Sequence, residues 1–130
     1  MTYSLADVTL KSRFFLGTAT YPSPKVLNDA IIASEAQVVT VGLKRQLAPG
    51  QNSLSKSTTD GVDNTFFQML RQSGAHLLPN TAGCKTAREA ITLAQMAREI
   101  FDTNWIKLEV IGDDYTLQPD PIALLDATKE

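Results

Sequence analysis

The stretch Gln37 to Leu43, QVVTVGL, is a continuous β-branched run, and it narrows the fold more than any other feature of the chain. A strand with one wet face alternates apolar and polar residues. A run without that alternation suits a strand buried on both faces, as in a parallel sheet covered by helices. The segment before it fits. From Lys25 to Ser34, the apolar residues Val26, Leu27, Ala30, Ile31 and Ala33 follow helical spacing, and Ser23 with Pro24 makes a cap and a first helical position.

The same alternation of period continues along the chain. Arg13 to Leu16 is a short β-prone run ending at Gly17. Asp63 is a helix cap, with Phe66, Phe67, Met69 and Leu70 marking a short helix that ends near Gly74. His76 to Leu78 reads as a third strand stopped by Pro79. Thr86, with Glu89 three residues on, has the capping-box pattern, and its helix runs to about residue 101. A fourth strand is expected over Trp105 to Ile111, ending at Gly112. Asp120 and Pro121 open a final helix in which the sequence stops at Glu130. Strand then helix, four times over, predicts an α/β fold with a parallel sheet, as either a small open sheet or part of a closed barrel. Gln46 to Gly61 is rich in Gln, Asn, Ser, Thr and Gly, and is expected to be a flexible surface loop within a single domain spanning residues 1–130.

Composition removes several classes of function. The formal net charge of −2 lacks the excess of Lys and Arg that a nucleic-acid groove requires. No apolar run approaches the roughly 18 residues of a membrane span, and the first residues lack the pattern of a secretory signal. A lone cysteine, Cys84, excludes an internal disulfide and a multi-cysteine zinc site. These features lead to the expectation of a cytoplasmic protein with no metal and no cofactor.

The most informative chemistry lies in Trp105-Ile106-Lys107-Leu108-Glu109-Val110-Ile111. On a strand, Trp105, Lys107 and Glu109 share one face, and Ile106, Leu108 and Val110 share the other. Burying two mid-strand charges under helices is costly. In a barrel, by contrast, the inner face near the carboxyl ends of the strands opens onto the active site, so the alternation favours a barrel. An amine placed there can attack a ketone to form an imine when it is unprotonated, and desolvation favours that neutral form. Glu109 on the same face could move the protons. The plainer reading is an ion pair on an exposed edge strand. Asn80 and Thr81, just after a strand, could hydrogen-bond a substrate or merely hold the turn. Lys44 and Arg45 could meet an anion or simply be solvated. Cys84 is a small filler more readily than an activated thiol, and His76 has no clustered partner in sequence.

The strings LGTATYPSP, VVTVGLKR, LLPNTAGCKTAREA and WIKLEVIGDDYTLQPDPI, in this order, resemble the thiazole synthase family of thiamine biosynthesis, and the likeness spans the chain from about residue 13 onward. The sequence departs from the family pattern at Ala19 and Thr20, and in a longer segment from Ala48 to Gly61. The resemblance implies a TIM (β/α)8 barrel of which this chain supplies about half, since such a barrel needs about 250 residues. It further implies that Lys107 condenses with 1-deoxy-D-xylulose 5-phosphate and that Glu109 does acid–base work. Dehydroglycine and the thiocarboxylate of a small sulfur-carrier protein complete the thiazole, in an enzyme expected to be a homo-oligomer. The family's second acidic residue and its phosphate-binding loops fall in the other half, so the fragment alone is expected to be inactive. Two alternatives stand beside this reading: a class I aldolase-like Schiff-base barrel, and a non-catalytic half-barrel that serves only for association.

Overall fold

A computed structural model describes residues 2–44 and 64–130, without the side chains of residues 64 and 65. Arg45, the Gln46 to Gly61 segment and the Asp63 cap lie outside the described residues. The described chain gathers into two compact units, residues 2–41 with 64–77, and residues 42–44 with 78–130. It is a mixed α/β structure whose larger sheet holds three strands, with its first two parallel.

The first unit opens with an antiparallel hairpin, β1 (Tyr3–Leu5) and β2 (Val8–Leu10), which the sequence reading did not anticipate. Its turn is Ala6-Asp7, with Ala6 at φ 50°. The Asn-Gly or Asp-Gly pair that usually marks such a turn is absent, which hid the hairpin. Strand β3 (Phe15–Gly17) then pairs in parallel with β4 (Val38–Gly42), Leu16 opposite Val39. Val38, Val39 and Val41 have no exposed surface, as expected for a strand covered on both faces. Helix α1 (Pro24–Ser34) begins where Ser23 accepts the Val26 N–H at 3.3 Å, with Pro24 in its first turn. Leu27 and Ile31, one turn apart, are its buried stripe. Glu35 ends the helix in the left-handed region at φ 51°. Helix α2 (Asn64–Gln72) packs against α1, and Phe66 and Phe67 meet edge-on with centroids 5.5 Å apart. Strand β5 (His76–Asn80) takes its place beyond β4 in the sheet, where the His76 N–H donates to the Gln37 carbonyl at 2.8 Å.

Two sequence expectations are corrected in the second unit. Pro79 does not stop its strand; β5 runs through it to Asn80. The pairing there begins at the Pro79 carbonyl, which accepts the Lys107 N–H at 2.8 Å, so the missing proline donor falls before the first bond. The expected strand over Trp105 to Ile111 is not a continuous ladder. It consists of a parallel bridge between Asn80 and Lys107, and an antiparallel bridge between Ile111 and Pro119. Helix α3 (Ala87–Phe101) starts at Thr86, whose hydroxyl accepts the Glu89 N–H at 3.1 Å, and buries Ala90, Leu93, Ala97 and Phe101. Helix α4 (Pro121–Lys129) is capped by Asp120, whose Oδ1 accepts from the Ile122 and Ala123 N–H groups. It packs against α3 and buries Ala127. No helix among the described residues is long and apolar enough to cross a membrane.

Candidate active site

All four residues singled out from the sequence, Asn80, Thr81, Lys107 and Glu109, fall in the second unit, where β5 leaves its sheet. The Lys107 carbonyl accepts the Thr81 N–H at 3.2 Å, which completes the bridge begun at Pro79. In a regular parallel ladder the next bond would run from the Glu109 N–H to the Thr81 carbonyl. That carbonyl is instead turned toward the Cys84 N–H, at 3.1 Å. The Thr81 hydroxyl takes its place. Its Oγ1 accepts the Glu109 N–H at 2.7 Å and donates to the Glu109 carbonyl at 2.7 Å.

This substitution explains the short bridge and the form of the turn. Asn80 Oδ1 accepts the Ala82 N–H at 3.2 Å, and Gly83 sits at φ 86°, where a Cβ would be strained. After the turn, the Cys84 carbonyl accepts the Ile111 N–H at 2.8 Å, so the 107–111 segment is held at both ends. Thr81 is fully buried and its hydroxyl proton is committed to Glu109. It therefore cannot offer that proton to a substrate in this structure. Of the two roles the sequence leaves open for Thr81, its hydroxyl here performs the second, holding backbone.

Lys107 and Glu109 are brought together. Lys107 Nζ lies 3.0 Å from Glu109 Oε1, with the lysine side chain 57% exposed and the glutamate 33% exposed. Val110, on the opposite face, is 1% exposed, consistent with the alternation read from the sequence. The described residues thus place an amine and a carboxylate side by side on an open face.

A second lysine–glutamate pair is tied to the same turn. Lys44 Nζ donates to the Gly83 carbonyl at 2.7 Å and to Glu89 Oε1, while Glu89 Oε2 accepts the Lys85 N–H at 2.9 Å. Its bond to Glu89 raises the Lys44 pKa, and the same bond lowers that of Glu89. Lys44 is thereby held in its ammonium form and committed to Glu89 and the Gly83 carbonyl. Its partner is 45 positions away, so no local pattern could have shown the pairing. Lys44, Glu89, Leu93 and Met96 also line a cleft of about 420 Å³ that includes none of the four predicted site residues. Cys84 is fully buried, and burial pushes its thiol pKa up, so it is a packed filler.

A family model described as thiazole biosynthesis protein ThiG matches residues 4–130. The chain belongs to this family. Membership in the thiazole biosynthesis family favours the first sequence reading over the aldolase-like one. The chain is 47% identical over 125 residues to the thiazole synthase of Coxiella burnetii (strain Dugway 5J108-111), an alignment covering 96% of this chain and 44% of that protein. It is 54% identical over 120 residues to the thiazole synthase of Gluconacetobacter diazotrophicus, covering 92% and 43%. With the thiazole synthase of Burkholderia pseudomallei (strain 1710b) it shares 50% identity over 126 residues, covering 97% and 43%. The chain thus spans under half the length of these curated relatives.

Proposed function

We propose that this chain carries the imine-forming part of a thiazole synthase, with Lys107 as the nucleophile and Glu109 as its proton shuttle. The observation that carries the reading is the 3.0 Å approach of Lys107 Nζ to Glu109 Oε1, beside the end of β5. Membership in the thiazole biosynthesis family supports it. The paired β and α elements are taken as the first half of a (β/α)8 barrel, in which active-site groups gather at the carboxyl ends of the strands. The protein would work in the cytoplasm.

The substrate is 1-deoxy-D-xylulose 5-phosphate. The Lys107 ammonium passes a proton to Glu109, and the freed amine attacks the ketone carbon, forming a C–N bond as the carbonyl π electrons move to oxygen. A proton moves from nitrogen to that oxygen, giving a carbinolamine. Glu109 then returns its proton to the hydroxyl, which departs as water and leaves the imine. Dehydroglycine and the thiocarboxylate of a small sulfur-carrier protein supply the rest of the ring. Asn80 orients substrate in this reading through its side-chain NH2, its Oδ1 being engaged with the Ala82 N–H.

Borohydride trapping tests the assignment in a form of the relatives' full length. The unaltered protein should give a reduced adduct with the pentulose phosphate, and Lys107→Ala should give none while its circular dichroism is unchanged. An undiminished adduct in Lys107→Ala would place the imine on another lysine.

A further inference from the structure

We infer that Thr81 is a positioning residue for Glu109, its hydroxyl acting as a rung of the sheet that carries the proton shuttle. The inference rests on the reading of Lys107 and Glu109 given under Proposed function.

A backbone carbonyl at this rung could accept the Glu109 N–H but could do nothing for the Glu109 carbonyl. The hydroxyl serves both, accepting the N–H and donating to the C=O, each at 2.7 Å. Thr81 is fully buried, so water has no access to replace either bond. With its amide and carbonyl both tied to one atom, Glu109 has little freedom about its two backbone torsions, and the side chain leaves the backbone in a fixed direction. That direction brings its carboxylate to Lys107 Nζ at 3.0 Å. Lys107 is anchored separately, by the Pro79 carbonyl and the Thr81 N–H. Thr81 therefore touches both partners of the pair through their backbones, but only Glu109 depends on its side chain.

The requirement is chemically narrow. Serine offers the same oxygen and proton. Valine matches threonine in shape and offers neither, leaving a buried N–H and C=O without partners. Misplacing a proton-transfer group by about 1 Å can reduce a rate on the order of a hundredfold while leaving substrate affinity intact.

The test compares Thr81→Ser and Thr81→Val, each alone and combined with Glu109→Gln, in a form of the relatives' full length. The readouts are the rate of adduct trapping with the pentulose phosphate and the amide exchange of Glu109. Thr81→Ser should stay within about threefold of the unaltered rate. Thr81→Val should slow trapping on the order of tenfold to a hundredfold, with the half-saturating substrate concentration changed by less than about twofold. In the Glu109→Gln background, Thr81→Val should add little, because two residues acting through one group do not add. An equal further loss there would overturn the inference, as would a raised half-saturating concentration at an unchanged rate, which would mark Thr81 as a substrate contact.

Exchange separates this inference from the functional reading. Glu109 N–H exchange should be slow in the unaltered protein and in Thr81→Ser, whether or not any adduct forms. A protein that traps no pentulose phosphate, yet protects the Glu109 amide through the Thr81 hydroxyl, refutes the substrate and upholds the rung. An unprotected Glu109 amide in the unaltered protein refutes the rung, even where Thr81→Val fails to fold.

Discussion

At Asp113 one carboxylate oxygen accepts three donors, the Tyr115 N–H at 3.0 Å, the Thr116 N–H at 2.6 Å and the Thr116 hydroxyl at 2.8 Å. The bonds from Thr116 lead in holding the Asp113 pKa below its ordinary value. A depressed carboxylate stabilises the folded loop above its unfolded pKa, and the benefit is lost as pH falls through the folded pKa. Protection of the Tyr115 and Thr116 amides, measured as their exchange rate against the intrinsic rate at the same pH, should therefore fall on acidification below about pH 4, where ordinary aspartates protonate. In Asp113→Ala that acid-dependent loss of protection should vanish, with low protection at every pH. Nothing in the sequence marked this loop as ordered, because the bonds join exposed residues with no apolar periodicity. Lys107 and Glu109 were legible for the opposite reason: alternation puts them on one side of an extended segment whatever the exact pairing. The part played by Thr81 was not legible, since a turn that swaps a hydroxyl for a carbonyl leaves no periodic trace.

Among elements, those with side-chain caps were read with the best boundaries. Ser23, Thr86 and Asp120 each accept backbone donors at the start of their helices, and each is a residue type that sequence alone assigns to that place. The exception is instructive. In a capping box the glutamate returns to the cap's own N–H, but Glu89 goes one residue further, to Lys85, and gives its other oxygen to Lys44. Thr86→Ala should cost about 1 kcal/mol, seen as a lower denaturation midpoint at unchanged slope. Loss of slope together with midpoint would mean that α3 no longer unfolds with the rest. Strands were read less well where pairing partners are distant. β1 and β2 are three residues each with an ordinary-looking turn, and β5 hides a proline whose missing donor is harmless only because of where Lys107 begins to pair.

For the molecule as a whole, the parallel α/β character was visible in the change of apolar period, and the family in its motifs. The division of the described chain into two compact units was not visible, because no composition shift accompanies it. Each unit leaves large apolar side chains in water: Phe14 is 54% exposed in the first, and Ile122 is 69% and Leu125 54% exposed in the second. Such surface favours association, and two open-faced copies can cover it symmetrically. Light scattering on the 130-residue chain should accordingly show mass rising with concentration; a constant monomer mass across a dilution series would contradict this. The segment from Ile111 to Pro119 bears on how such a protein is handled. Tyr115 is 96% exposed, yet the Gly112 and Asp113 N–H groups both donate to the Gln118 carbonyl, and the Asp120 N–H donates to Val110. Gly112 itself leaves less room than a side chain needs, since a Cβ there would lie 3.2 Å from the Asp120 nitrogen, closer than ordinary van der Waals contact. An engineer choosing a splice point for a tag by surface exposure would choose this loop first and would be cutting a knot, whereas a dye carried on Tyr115 would ride a stiff mast.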